Sequence, residues 1–101
     1  MADYIKVSKL DELIPGQAKT VVVNGREIAL FNIEGEIFAT DNTCLHMGGP
    51  LGEGELANVV VTCPWHGWEY NVKTGEALTA PGEYIQKFEV RVQDGDIEVA
   101  I

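Results

Sequence analysis

Four side chains of this sequence are strong ligands for a soft or borderline metal ion, and all four fall in one stretch: Cys44, His46, Cys63 and His66. They are all the cysteines and histidines the chain has. The first pair reads Cys-x-His, the second Cys-x-x-His, and sixteen residues, 47 to 62, lie between them. A cysteine and a histidine two or three residues apart on one loop reach adjacent ligand positions but cannot complete a tetrahedral site alone. Two such loops brought together by a rigid sheet can. Two other readings compete. Buried or disulfide-linked cysteines with incidental histidines would need a coincidence of placement, and a cytosolic compartment disfavours the disulfide. A structural zinc site accepts two Cys and two His, but its common patterns pair Cys with Cys and His with His, whereas each segment here carries one of each.

The elements that must hold these loops read as β-structure. Apolar and β-branched runs recur at short spacing: "YIKV" at 4, "KTVVV" at 19, "REIALFNI" at 26, "EIFAT" at 36, "NVVVT" at 58, "YIQKFEVRV" at 84 and "DIEVAI" at 96. Asn24-Gly25 sits between two of them and predicts a tight hairpin of type I′. Glu34-Gly35, Lys73-Thr74-Gly75 and Asp94-Gly95 divide further hairpins. In "KFEVRVQ", Phe88, Val90 and Val92 alternate with polar residues, which predicts a strand with one buried face. "SKLDELIPG" offers one helical turn, with Ser8 as N-cap and Pro15-Gly16 as the stop. Tyr4, Tyr84, Phe31, Phe38 and Phe88 are expected in the core. The fold class is therefore all-β, a small antiparallel sandwich or barrel, and residues 1–101 are read as one domain with its ligand loops at about 42–70.

Composition narrows the function. The formal charge is −9, from 16 acids against 7 bases. Such a surface repels nucleic-acid phosphates and favours a basic protein partner reached by electrostatic steering. Between Arg26 and Lys73 there is no Lys or Arg, while Glu27, Glu34, Glu36, Asp41, Glu53, Glu55 and Glu69 lie in that interval. Plain solubilisation by surface acids is the competing account. No apolar stretch approaches the roughly 20 residues needed to cross a bilayer, and the N-terminus lacks the apolar core of a signal peptide. No membrane association and a cytoplasmic location are expected.

The spacing C-x-H-x16-C-x-x-H resembles the signature of the Rieske 2Fe-2S proteins, and the resemblance extends through "DNTCLHMGGPL" and "HGWEYNVKTGEAL". It implies the Rieske fold, a two-loop cluster-binding subdomain and one Rieske-type 2Fe-2S cluster. By that resemblance Cys44 and Cys63 bind one iron and His46 and His66 the other. In such centres two neutral imidazoles replace two thiolates on one iron, so an electron is added more easily, at roughly −150 to +300 mV against about −400 mV for plant-type ferredoxins. Gly48, Gly49 and Gly67 let the loop backbone approach the bridging sulfides, whereas Gly52 and Gly54 are read as shaping a turn. Trp65 and Trp68 either shield the cluster and offer an apolar docking surface or simply pack in the core. Pro64 stiffens the second loop, and Pro81-Gly82 resembles the family's third, proline-containing loop.

Departures from the high-potential branch are informative. The extra cysteine in each loop and the serine two residues after the second histidine, found in cytochrome bc Rieske proteins, are absent. Met47 to Gly49, Trp65 and Trp68 stand there instead. Tyr70 matches the tyrosine that bonds a cysteine sulfur. A low potential, raised somewhat by Tyr70, is expected. Both histidines are taken by the cluster, so none remain for the mononuclear iron of a Rieske oxygenase, and no flavin or nicotinamide fingerprint is present. The chain is thus read as an electron carrier, not an enzyme. The resemblance to ring-hydroxylating dioxygenase ferredoxins implies a flavin-dependent ferredoxin reductase and a terminal oxygenase as partners, with the carrier a monomer. The alternative is an accessory small subunit resembling that of assimilatory nitrite reductase.

Overall fold

"REIALFNI" is apolar without a break from Ile28 to Phe31, and a strand can only be so if both its faces are covered. The computed structural model, which describes residues 3–45, 48–65 and 67–101, shows this. Strand β3 (Arg26–Ile33) is buried from Ile28 to Ile33. Ile28 and Leu30 face one apolar core, and Ala29, Phe31 and Ile33 face another. Burying side chains of this size contributes roughly 1.5–3 kcal/mol each, so β3 joins two halves of the molecule through apolar contact.

The first core belongs to the base. Strands β1 (Tyr4–Lys9), β10 (Asp96–Ala100) and β9 (Val90–Gln93) form one antiparallel sheet in the order β1-β10-β9. A second sheet has the order β2-β3-β4-β8, with β2 Ala18–Val23, β4 Glu36–Asp41 and β8 Lys87–Phe88. Between them lie Leu13, Val21, Val23, Ile28, Leu30, Ile37, Ala39, Ile97 and Val99. Strand β1 lies against β2 and β9 against β4, so the sheets adjoin at both sides like a flattened barrel. Three tight turns set the registers: Asn24-Gly25, Glu34-Gly35 and Asp94-Gly95 all have both residues at positive φ. They pair Val23 with Arg26, Ile33 with Glu36 and Gln93 with Asp96.

The second core lies over the other face of β3 and carries the third sheet, β5-β6-β7 (Glu55–Ala57, Val60–Thr62, Glu69–Asn71). It contains Phe31, Leu51, Val61, Tyr70, Val72, Ala77 and Ile85 together with Cys44 and Cys63. The all-β antiparallel architecture is as expected.

Several local expectations are corrected. Ser8 is the buried penultimate residue of β1, not an N-cap: the one turn of 3-10 helix spans Leu10–Glu12 and is capped at Lys9. "YIQKFEVRV" is not one strand, because the chain passes from one sheet to the other at Glu89, whose carbonyl accepts from the Ala100 N–H. Its alternation does not produce a buried face throughout: Val92 is 45% exposed, since β9 is a sheet edge. Tyr84 is exposed and Tyr4 only half-buried, its hydroxyl donating to Glu89 at 3.0 Å. Phe31 is fully buried, and Phe38 and Phe88 pack at the core margins.

Candidate metal centre

Two loops, 44–49 after the end of β4 and 63–68 between β6 and β7 of the third sheet, are closed alike. Each begins at a buried cysteine whose N–H donates to the carbonyl five residues on: Cys44 to Gly49 at 2.9 Å and Cys63 to Trp68 at 2.7 Å. Each is flanked by an antiparallel pair, Thr43 with Pro50 and Thr62 with Glu69. Four residues after each cysteine stands a glycine in the left-handed region, Gly48 at φ +76° and Gly67 at φ +72°. An L side chain there would be strained by about 1 kcal/mol, so both glycines are demanded by the backbone itself.

The loops also touch. A Cβ built on Gly49 would lie 2.6 Å from Cys63 Sγ and 3.1 Å from Trp65 Cβ, so only a glycine lets the first loop close over the second cysteine. The two thiols are free and buried, with no disulfide between them. Burial pushes the Cys63 thiol up; the backbone of Trp65 opposes this and the neighbouring Cys44 adds to it. Tyr70, on β7, reaches across to the first loop: its hydroxyl lies 3.2 Å from Cys44 Sγ and accepts from the Leu45 N–H at 2.9 Å. Burial first, then the bond with Cys44, holds the phenol well above its usual range. A phenol that keeps its proton donates to a thiolate, and a thiolate is the form in which Cys44 would bind metal.

The loops differ in how they are rooted. Loop two closes a regular ladder, with Thr62, Val61 and Val60 paired to Glu69, Tyr70 and Asn71. Loop one has a single bridge at Thr43 and Pro50, and proline has no N–H with which to extend a ladder. Its root is a side chain instead. Asn42 is 1% exposed; its Oδ1 accepts from the Gly52 N–H at 2.7 Å and from Thr20 Oγ1 at 3.2 Å, and its Nδ2 donates to Glu27 Oε1 at 3.1 Å. Its carbonyl accepts from the Leu51 N–H at 2.8 Å. Gly52 belongs to the same root. A Cβ there would fall 2.8 Å from the backbone of Lys19 and Thr20, so Gly52 permits close packing on β2 at an ordinary φ. Gly54 is similar, with Thr62 O and Leu51 O in the way of any side chain.

The remaining candidates divide. Trp68 packs half-buried against the core, its ring centroid 6.4 Å from that of Tyr70. Trp65 is 52% exposed; Leu45 on loop one and Leu78, whose N–H donates to Glu69 O at 2.8 Å, are also exposed. Pro64 is exposed on loop two. Pro81 is exposed on a turn closed by the Glu83 N–H and Ala80 O, and the contact of that segment with the cysteine core is made by Ala80. His46, Met47 and His66 lie outside the described residues. Sequence reasoning did not single out Asn42, and it read Gly52 only as shaping a turn; nothing local to Gly52 signals its approach to β2.

The described donors fit a thiolate-bound iron: two buried sulfurs side by side, a phenol that can donate to one, and a glycine that clears space at the other. The match to the Rieske [2Fe-2S] domain model runs over residues 3–89. The chain belongs to the Rieske [2Fe-2S] family. The cofactor of this family is one Rieske-type 2Fe-2S cluster, which sets the zinc reading aside. The ferredoxin component of the naphthalene 1,2-dioxygenase/salicylate 5-hydroxylase systems of a Ralstonia species is 38% identical over 93 residues, 91% of this chain and 89% of that one. A solved complex of reduced oxygenase and oxidised ferredoxin in carbazole 1,9a-dioxygenase includes a chain 33% identical, with TM-score 0.88, covering 96% of this chain and 92% of its own. A structure assigned as the small subunit of an NADH-dependent nitrite reductase from Mycobacterium tuberculosis has TM-score 0.90 at 24% identity, covering 100% of this chain and 96% of its own. That likeness shows the shared fold alone.

Proposed function

We propose that this protein is a soluble one-electron carrier that accepts electrons from a flavin-dependent ferredoxin reductase and delivers them to a terminal oxygenase. The observation that supports it most directly is the pair of buried, adjacent thiols of Cys44 and Cys63 set beneath exposed loop residues. The cluster, when bound, supplies reversible storage of a single electron. By the resemblance to Rieske centres, Cys44 and Cys63 would hold one iron by their sulfurs, and His46 and His66 would hold the other.

The protein's own groups set the conditions for that exchange. Tyr70 donates a hydrogen bond toward Cys44 and so lessens the negative charge at the sulfur. Burial of both cysteines excludes water from them. Exposed Leu45, Trp65 and Leu78 offer a partner apolar contact. Charge is unevenly placed. The four ion pairs among the described residues, Lys6 with Asp96, Lys19 with Glu12, Arg26 with Asp41 and Arg91 with Glu98, all lie in the base. Glu55 and Glu69 are exposed on the third sheet, either side of Thr62 in the pairing, and neither belongs to an ion pair among the described residues. A basic partner is thereby steered toward the loops.

The relatives named as dioxygenase ferredoxins are the more identical ones, which favours this reading over a nitrite reductase small subunit. Among the described residues no helix is long and apolar enough to cross a membrane. A cytoplasmic location and a monomeric state accord with a diffusing carrier. The deciding measurement is the low-temperature electron paramagnetic resonance spectrum after dithionite reduction. A rhombic signal with average g below that of all-cysteine 2Fe-2S proteins is expected; purified protein holding zinc or no metal overturns the proposal.

A further inference from the structure

We infer that Asn42 is a positioning residue of the metal centre: its buried amide replaces the missing strand ladder at the root of loop one and so fixes Cys44. The inference rests on the proposed electron-carrier reading and adds a residue to it. The geometry requires some such device. Loop one must match loop two in span and closure, yet Pro50 ends the pairing after one bridge because it lacks an N–H. Immediately beyond it the chain turns into a short 3-10 helix, Leu51–Glu53, whose leading N–H groups have no strand to meet. Asn42 takes both. Its carbonyl accepts from Leu51 and its side-chain oxygen accepts from Gly52, at 2.8 and 2.7 Å. The outgoing and returning arms of the loop are thereby locked together two residues from Cys44.

The same side chain ties that junction to the base. Thr20 on β2 donates to Oδ1 at 3.2 Å, and Glu27 on β3 accepts from Nδ2 at 3.1 Å. A carboxamide supplies acceptor and donor at once from one planar group of this size. An isosteric carboxylate would keep the two acceptor bonds, lose the donated one, and face Glu27 as a like charge. Tyr70 then holds the other side of Cys44, so the sulfur is fixed from its backbone by Asn42 and from its thiol by Tyr70.

The test uses the iron-loaded protein and a second buried asparagine as control. Asn32 is 3% exposed, donates to Leu13 O at 2.7 Å and accepts from the Gly35 N–H at 2.8 Å, outside both loops. Asn42→Ala and Asn32→Ala should both lower the melting temperature. Asn42→Ala alone should speed loss of iron to a chelator by about 10–100-fold, the usual cost of removing a group that orients a metal ligand, and should alter the resonance spectrum of the reduced protein. Asn42→Asp should do the same in milder form. The double variant Asn42→Asp/Glu27→Gln, which restores the hydrogen bond with its polarity reversed and the net charge unchanged, should return the iron-release rate and spectrum toward wild type. Should Asn42→Ala fail to fold, the aspartate variant and its rescue carry the test. Wild-type iron release and spectrum in the Asn42 variants, or an equal change in Asn32→Ala, overturns this inference alone. A wild-type protein that binds no iron overturns the proposed function and this inference with it.

Discussion

Loop one and loop two reach the same local geometry by different means. Both close a Cys N–H onto the carbonyl five residues later, and both place a left-handed glycine at the fourth position. Loop two inherits its shape from a continuous backbone ladder, whereas loop one depends on a buried amide, a glycine with no room for a side chain and a tyrosine from the other loop's strand. Backbone pairing tolerates many side chains, but a side-chain root tolerates few. Sequence change should therefore be felt more sharply around loop one.

Gly49→Ala should break the comparison most severely. The new Cβ would meet Cys63 Sγ at 2.6 Å, inside any non-bonded contact, and overpacking of this kind costs roughly 1–3 kcal/mol before any metal is considered. Loss of cluster assembly, read as iron per chain and visible absorption, is the expected outcome. The matching position of loop two is Trp68, where no such small residue is needed. Tyr70→Phe comes next. It keeps the ring packed against Trp68 and removes the hydrogen bond to Cys44, a contact worth about 1.5–3 kcal/mol when the acceptor is charged. Because the bond favours the more negative, reduced state, voltammetry should show a lower potential; an unchanged potential would remove Tyr70 from the account.

Charge reversal probes the outer faces rather than the loops. Glu55→Lys/Glu69→Lys should slow association with a basic partner on the order of tenfold at low salt, an effect that shrinks as salt is added. Asp41→Asn, at the start of loop one, should do much less, since Asp41 is already paired with Arg26 at 3.8 Å. The smallest effect sharpens the likeness. Gly48→Ala and Gly67→Ala have no steric collision nearer than 3.8 Å, so each should cost about 1 kcal/mol of backbone strain. Equal shifts in denaturation midpoint are expected, and a large inequality would mean that the loops are less alike than their hydrogen bonds suggest.

Much of the base was legible from residue order alone. "REIALFNI" spans the same residues as β3, and three two-residue turns set the registers expected of them. The spacing of the cysteines pointed to two loops separated by a strand or hairpin, and β5 and β6 form a hairpin there. What escaped has a common cause: each miss depends on what another part of the chain brings alongside. Period-two alternation in β9 is the same whether or not a sheet covers it, so Val92 reads as buried and is not. An asparagine before a loop reads as a turn former, and its role at the junction of β2, β3 and residues 51–52 depends on contacts up to 22 positions away. Gly52 is required by a backbone more than 30 residues earlier. Ser8 looks like a cap because its neighbours look helical, but the pairing of β1 with β10 claims it first.

The two-sided burial of β3 has a further consequence for how the protein comes apart. A strand with one wet face can lose its cover on the other and still be hydrated, but β3 has no such intermediate condition. If metal is withdrawn and the loop-bearing half loosens, Ala29, Phe31 and Ile33 lose their cover while Ile28 and Leu30 keep theirs. The backbone amides of this strand therefore register events at the cysteines without touching them. Their hydrogen-exchange rates would act as a remote gauge of whether the centre is filled, and the cost of emptying it is shared by the whole base.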